Sequence, residues 1–185
     1  MRVVAGAAKG HRLQAPKGSE TRPTSDKVRE AIFDVLRDSF VDEPVLDLFA
    51  GTGALGIEAL SRGASNAVFV ERRPQACATI RANLAHTRLV VQSQILCMPV
   101  ERAIPTLDQE FSLVLLDPPY AYPRIHDILV MIGEARVVGQ DTIVVLEHSP
   151  RFAVAERYAR LVLQRQKTYG DTTVSFFAVQ EEQNT

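Results

Sequence analysis

Apolar and polar positions follow two different rhythms along this chain. Val28, Ala31, Ile32, Val35 and Leu36 fall at the i, i+3, i+4, i+7, i+8 spacing of one buried helical face. Thr24 or Ser25 can cap that helix after Pro23, and it is expected to end near Phe40. From Pro44 onward, short runs of branched apolar residues at 45–49, 67–71, 89–94, 113–117 and 142–147 read as strands. They are separated by helical stretches at about 54–62, 74–86, 100–107 and 124–132. Continuous apolar strands alternating with helices predict an α/β fold whose parallel sheet is covered on both faces. Runs at 161–167 and 173–179 flank Thr168-Tyr169-Gly170-Asp171-Thr172 and predict an antiparallel hairpin at the sheet edge. At the start, 2–5 and 11–14 predict a small hairpin around the loop from Gly6 to Gly10, after which Pro16, Gly18 and Pro23 break the chain. Residues 1–40 thus read as an extension, 41–180 as the main domain and 181–185 as a frayed tail.

Composition narrows the class. The chain has 185 residues, 46% hydrophobic and 23% charged, which suits one globular core and neither a disordered chain nor a fibre. No apolar run approaches the roughly 18 residues of a membrane span, and Met1-Arg2-Val3 leads into no signal-type stretch, so a cytoplasmic protein is expected. Cys77 and Cys97 fit no metal-ligand spacing and read as two reduced core thiols; no metal is expected. Charge is uneven. Residues 1–29 carry seven cations against Glu20 and Asp26, a local net of +5 on a remainder of −6. Such a basic end is either a solvated arm or a contact for a polyanion, with Lys9, Arg12, Arg22, Lys27 and Arg29 as candidates for nucleic-acid phosphates.

The first chemical signal is Asp47-Leu48-Phe49-Ala50-Gly51-Thr52-Gly53-Ala54-Leu55-Gly56. A strand enters a tight glycine turn and a helix begins directly after it, so a ligand can approach the backbone. Gly51, Gly53 and Gly56 match the G-x-G-x-x-G pattern, and Glu71 ends the next strand, where its carboxylate can accept both hydrogens of a ribose diol. The pattern alone fits NAD, a flavin nucleotide, S-adenosylmethionine or a plain structural turn. Asp47 disfavours a pyrophosphate and suits a ligand with a cationic end, although it can equally brace the turn.

The second signal is Asp117-Pro118-Pro119-Tyr120 at the end of the fourth predicted strand, which opens on the same crevice. Two consecutive prolines donate no hydrogen bond and stiffen the turn, fixing the Asp117 side chain and the Pro118 carbonyl as acceptors. Tyr120 adds an aromatic face. This set suits a flat ring bearing an exocyclic amine.

Together these residues resemble the class I S-adenosylmethionine-dependent amino-methyltransferases of nucleic acids. More closely, Gly10-His11-Arg12-Leu13, the run from Thr21 to Glu30, the run from Leu55 to Gly63 and Tyr169-Gly170-Asp171-Thr172 resemble the bacterial 16S ribosomal RNA guanine-N2 methyltransferases of the small subunit. The resemblance implies a doubly wound, mostly parallel seven-stranded sheet and S-adenosylmethionine as cofactor. It also implies 16S rRNA or the assembling small subunit as partner, with no membrane and no obligatory protein partner. It assigns Asp47, Ala50, Gly51 and Gly53 to the methionine end of the cofactor, Glu71 to its ribose, and Asp117 to Tyr120 to the target amine, with Asp117 beside the cofactor as well. Where the family has an acidic residue after the third strand for the adenine amine, this chain has Ser93-Gln94-Ile95, and Gln94 is the stand-in acceptor. Three other readings stay open on residues alone: adenine-N6 methylation of RNA or DNA, a small NAD-binding module, and a non-catalytic RNA-binding protein on the same scaffold.

Overall fold

The computed structural model describes residues 1–15 and 25–180. Helix α1 (Asp26–Leu36) starts at Ser25, whose hydroxyl accepts the Val28 N–H at 3.2 Å. The motif residues 21–24, with Arg22 and the alternative cap Thr24, lie outside the described residues. α1 stops at Leu36, before the expected Phe40, because Arg37 turns to a positive φ of 50°.

Strands and helices then alternate: β1 (Pro44–Leu48), α2 (Ala54–Ser61), β2 (Asn66–Val70), α3 (Pro74–Thr87), β3 (Ser93–Leu96), α4 (Val100–Ala103), β4 (Phe111–Leu116), α5 (Ile125–Glu134) and β5 (Val138–His148). β6 (Arg157–Tyr158), β7 (Leu161–Tyr169) and β8 (Thr172–Val179) complete one sheet of order β3-β2-β1-β4-β5-β8-β7-β6. β3 to β5 run parallel, and β8, β7 and β6 are antiparallel. The sheet has eight strands where seven were expected, because the two-residue β6 caps the edge beyond the predicted hairpin.

Other departures have local causes. The third strand was expected at 89–94, but Val90 and Val91 form a 3-10 turn in solvent, Val91 being 99% exposed, and β3 pairs from Ser93 opposite Ala67. Two branched residues had read as strand where Val91 is bare to solvent and Val90 is 53% exposed. Pro105 lacks the N–H that a continuing helix needs, so α4 passes into a 3-10 turn over Ile104–Thr106. The amino-terminal hairpin keeps a single antiparallel bridge, Arg2 to Arg12. Cys77, buried on α3, and Cys97, just past β3, are joined as a disulfide with Cα atoms 6.1 Å apart, correcting the expectation of two free thiols. Sequence spacing gave no sign of it, because neighbouring elements of the folded sheet bring the two together.

Strand alternation divides the core. Val45, Leu113 and Leu115 face α1, α2 and α3, while Leu46, Leu48, Val114 and Leu116 face α4 and α5. Asp47 shares the face of Val45, so its side chain is directed under α2.

The amino-terminal hairpin is fastened to that same layer. Glu58, fully buried on α2, accepts the Val4 and Ala5 N–H groups at 2.8 and 2.9 Å. Ser61 receives the Ala7 N–H on its carbonyl at 2.7 Å and the Ala8 N–H on its hydroxyl at 2.9 Å. Gly6 lies so close that a Cβ there would stand 1.7 Å from the Ser61 carbonyl oxygen. Asn83, also fully buried, takes the Gln14 N–H at 2.8 Å and donates to the carbonyls of Gln14 and Thr52. The chain therefore leaves Gln14 beside the glycine turn.

Candidate active site

In the sheet order, β1 is flanked by β2 and β4, and the direction of winding reverses between β1 and β4. Crevices at such reversals, outside the carboxyl ends of the strands, are where open α/β sheets bind ligands. Leu48 pairs with Val70 on one side and Leu116 on the other, so Phe49, Glu71 and Asp117 leave the sheet at one level.

The glycine turn builds the floor. Gly51 and Gly53 have φ of 57° and 77°, a region costly for residues with a Cβ, and Gly53 opens α2. The Ala50 carbonyl accepts the Gly53 N–H at 2.7 Å, while the Ala50 N–H donates to Val70 at 3.0 Å. Gly56 serves packing: a Cβ there would lie 2.4 Å from the Phe69 ring. The pattern thus has two conformational glycines and one that lets α2 settle on the sheet.

Three carboxylates face this floor. Glu71 accepts the Gly51 N–H at 3.0 Å on one oxygen and the Arg73 N–H at 2.8 Å and Nε at 3.2 Å on the other, so its spare acceptor capacity is on the oxygen that holds Gly51. Asp47, 1% exposed, accepts the Gly56 N–H at 2.8 Å, so the turn-bracing role weighed from sequence is present. Burial pushes its carboxyl up to about 8; the Gly56 N–H works against this, and the negative charges of Asp117 and Glu71 add to it. A site that raises a carboxyl by burial and like charge favours a cationic ligand.

Asp47 gives a pH test. Its folded value lies above the 3.8 of the free side chain, so its contribution to stability is full below about pH 4 and is lost as pH rises toward about 8. Asp47→Asn keeps an oxygen for the Gly56 N–H and removes the titration. Urea melts should show the variant gaining on the wild type between pH 5 and 8, by at most about 1.4 kcal/mol per pH unit. A constant difference across that range would mean Asp47 ionises normally.

Opposite Glu71, the chain leaves β4 through Asp117-Pro118-Pro119-Tyr120. The Pro119 carbonyl is taken by the Tyr122 N–H at 2.8 Å, whereas no backbone N–H among the described residues engages the Pro118 carbonyl. Tyr120 is 49% exposed, and its hydroxyl meets the Thr172 hydroxyl at 2.6 Å. The β7–β8 turn therefore pins the aromatic face beside the crevice, a role for Thr172 that no local pattern announced. A second missed group stands alongside. Tyr122 hydrogen-bonds Glu101, which lies 3.6 Å from Arg124, and the Tyr122 ring meets Phe49 edge-on with centroids 5.0 Å apart. Burial and the Glu101 carboxylate push the Tyr122 phenol up to about 12, so it stays a proton donor.

Other expected site residues are placed differently. Gln94 lies in the middle of β3, opposite Val68, because the strand runs on to Leu96; it does not stand at the strand end where an adenine acceptor belongs. Lys9, Arg12 and Lys27 are exposed. Arg29 is not a surface cation: it is fully buried, with Nη2 on Asp26 at 2.8 Å and on the Arg2 carbonyl, and Nε 3.4 Å from Glu58. Its position three and four residues before Ile32 and Phe33 puts it on the buried helical face, a signal present in the sequence.

This chain is 39% identical over 180 residues to the Bacillus subtilis (strain 168) protein named "Putative rRNA methyltransferase YlbH", covering 96% of this chain and 98% of that one. It is 28% identical over 181 residues to Escherichia coli (strain K12) "Ribosomal RNA small subunit methyltransferase D", covering 96% and 89%. Among solved structures, "Putative methyltransferase yhhF from Escherichia coli" superposes with a TM-score of 0.85 at 26% identity, covering 97% of this chain and 98% of that one. The profile of the family described as "Conserved hypothetical protein 95" matches residues 1–178, and the chain belongs to that family.

Proposed function

We propose that this protein methylates ribosomal RNA of the small subunit, with S-adenosylmethionine as methyl donor and the exocyclic N2 of a guanine as acceptor. The observation that carries the reading is the convergence of Asp117-Pro118-Pro119-Tyr120 on the crevice built by Gly51, Gly53, Glu71 and Asp47. The names of both relatives support ribosomal RNA as substrate, and that of the Escherichia coli relative supports the small subunit. The guanine N2 target rests on the motif resemblance.

The residues present suit the cofactor: Glu71 keeps acceptor capacity for a ribose diol, and the acidic groups Asp47, Glu71 and Asp117 around the glycine turn suit a ligand bearing an ammonium and a sulfonium and no phosphate, whose positive charge would favour the ionised form of Asp47. When bound, S-adenosylmethionine supplies an electrophilic methyl group. The Asp117 carboxylate and the Pro118 carbonyl take the two N–H hydrogens of the target amine and hold its lone pair out of conjugation with the purine. Tyr120, steadied by Thr172, stacks on the ring. Rate then comes from orientation and placed charge. Lys9, Arg12 and Lys27 contact phosphates from the amino-terminal side.

Radiolabelled methyl transfer to total RNA, DNA and isolated small subunits, followed by nucleoside analysis, tests this reading. N2-methylguanosine in small-subunit RNA is the expected product. Methyladenosine would move the target to adenine N6, and no transfer from a protein that binds S-adenosylhomocysteine would leave a binding protein only. In an isothermal titration, Glu71→Gln weakens S-adenosylhomocysteine binding by about 1–3 kcal/mol, since charge-assisted bonds to the ribose are reduced, and an unchanged affinity would mean Glu71 points elsewhere.

A further inference from the structure

A groove outside the crevice gathers cations that the fold leaves unused. It lies between α1 and β7, has a volume of about 500 Å³, and is lined by Asp34, Val35, Arg37, Arg165, Lys167 and Tyr169 among others. Some arginines elsewhere are tied to carboxylates, Arg2 and Arg29 to Asp26, Arg62 to Glu58, Arg73 to Glu71 and Arg124 to Glu101 and Asp127, while others such as Arg72, Arg81 and Arg88 are exposed without an ion pair among the described residues. What sets this groove apart is that three cations lie together beside an aromatic ring. Arg37, Arg165 and Lys167 are exposed and have no ion pair among the described residues, and Asp34 is the one carboxylate in the lining. Their gathering follows from strand register. Arg165 pairs opposite Phe176 and Lys167 opposite Val174, both in the α1–α3 core, so these side chains stand on the face toward α1.

Two features give the groove a direction and a ligand. The Lys167 ammonium lies 5.1 Å from the Tyr169 ring centroid, combining charge with an aromatic platform. From Arg165 to Tyr169 the strand advances about 13 Å. After Gly170 and Asp171 it reaches Thr172, which holds Tyr120 at the crevice. The cations therefore lead along β7 to the residue that faces the target base.

We propose that this groove binds the single-stranded RNA flanking the target nucleotide, with Arg37, Arg165 and Lys167 on phosphates and Tyr169 stacked on an unpaired base. The proposal rests on the RNA-directed reading above and adds the path of the strand. A duplex buries its base faces and offers nothing to Tyr169, so the expected ligand is an unpaired segment. In this arrangement the edge hairpin that steadies Tyr120 guides the substrate as well.

The test is anisotropy with a short fluorescein-labelled single-stranded oligoribonucleotide, and with the same strand annealed to its complement, over a range of salt. Arg165→Ala with Lys167→Ala should weaken single-strand binding and lower the slope of log affinity against log salt by about 1.4, two contacts at about 0.7 each. Tyr169→Ala should weaken it on the order of tenfold with an unchanged slope, and Tyr169→Phe should restore it. S-adenosylhomocysteine affinity and melting temperature serve as the check that each variant is folded. Wild-type affinity and slope in the double variant overturn the groove, as does tighter binding of the duplex. If the wild type methylates small subunits while the double variant keeps its KM for them, the groove fails and the function stands. If the wild type methylates no RNA, the function itself fails.

Discussion

Asp117→Ala lowers the single-turnover rate of methyl transfer by about 10²–10³-fold, the scale for one oriented electrostatic contact, with little change in RNA or cofactor affinity. The carboxylate follows directly from β4, within electrostatic reach of Asp47, and its segment is stiffened by Pro118 and Pro119. In the proposed reaction its acceptor matters most as the amine pyramidalises, so its loss is expected on kcat rather than on ground-state binding. Asp117→Asn separates two roles. An amide oxygen still accepts the N–H bond but takes up no proton, so activity retained in Asn and lost in Ala assigns positioning. Equal loss in both assigns proton acceptance. Near-wild-type rates in the Ala variant would move the active site elsewhere.

Glu58→Ala destabilises the fold by about 3–5 kcal/mol, because it removes the fully buried one of the two carboxylates that face a buried guanidinium and leaves only Asp26. Glu58 and Arg29 are both fully buried; their 3.4 Å contact is an ion pair without hydrogen-bond alignment, and Arg29 Nε and Nη1 have no other partner. The same carboxylate holds Arg62 at 2.8 Å and receives the Val4 and Ala5 N–H groups, so one substitution frees the amino-terminal hairpin. Chemical denaturation measures the loss, and hydrogen exchange at Val4 and Ala5 locates it. Combining Glu58→Ala with Arg29→Met should cost less than the sum of the two singles, by 1 kcal/mol or more on the scale of about 0.5–3 kcal/mol for contacting residues. Additive losses below about 1 kcal/mol would mean the hairpin is held by its apolar contacts alone.

Much of the architecture is local enough to read. The period of Val28, Ile32 and Leu36, the branched strands at 45–48 and 113–116, and the glycine turn before α2 each report a conformation their own residues favour. Boundaries were harder. Val90 and Val91 have strand chemistry but no partner strand and stay exposed, and β5 extends to Val138 because Phe111 offers it a partner across an irregular register. Hydrophobicity marks what can be buried; packing decides what is.

The same division runs through the site. Side chains that end a strand or shape a turn, such as Asp47, Glu71 and Asp117, announce themselves because strand direction and the glycine turn carry them to one crevice. Roles set by distant contacts did not. Gln94 sits mid-strand because β3 starts and ends later than its apolar run, Glu58 reached the buried Arg29 from 29 positions away, and Cys77 met Cys97 across neighbouring elements. Thr172 found Tyr120 from 52 residues along the chain. The sequence by itself determined the alternating fold and the chemistry offered at the strand ends, because both depend on neighbours in the chain. The tertiary structure alone decided which cations are spent inside and which remain on the β7 face, because a charge is partnered by whatever the sheet order brings beside it.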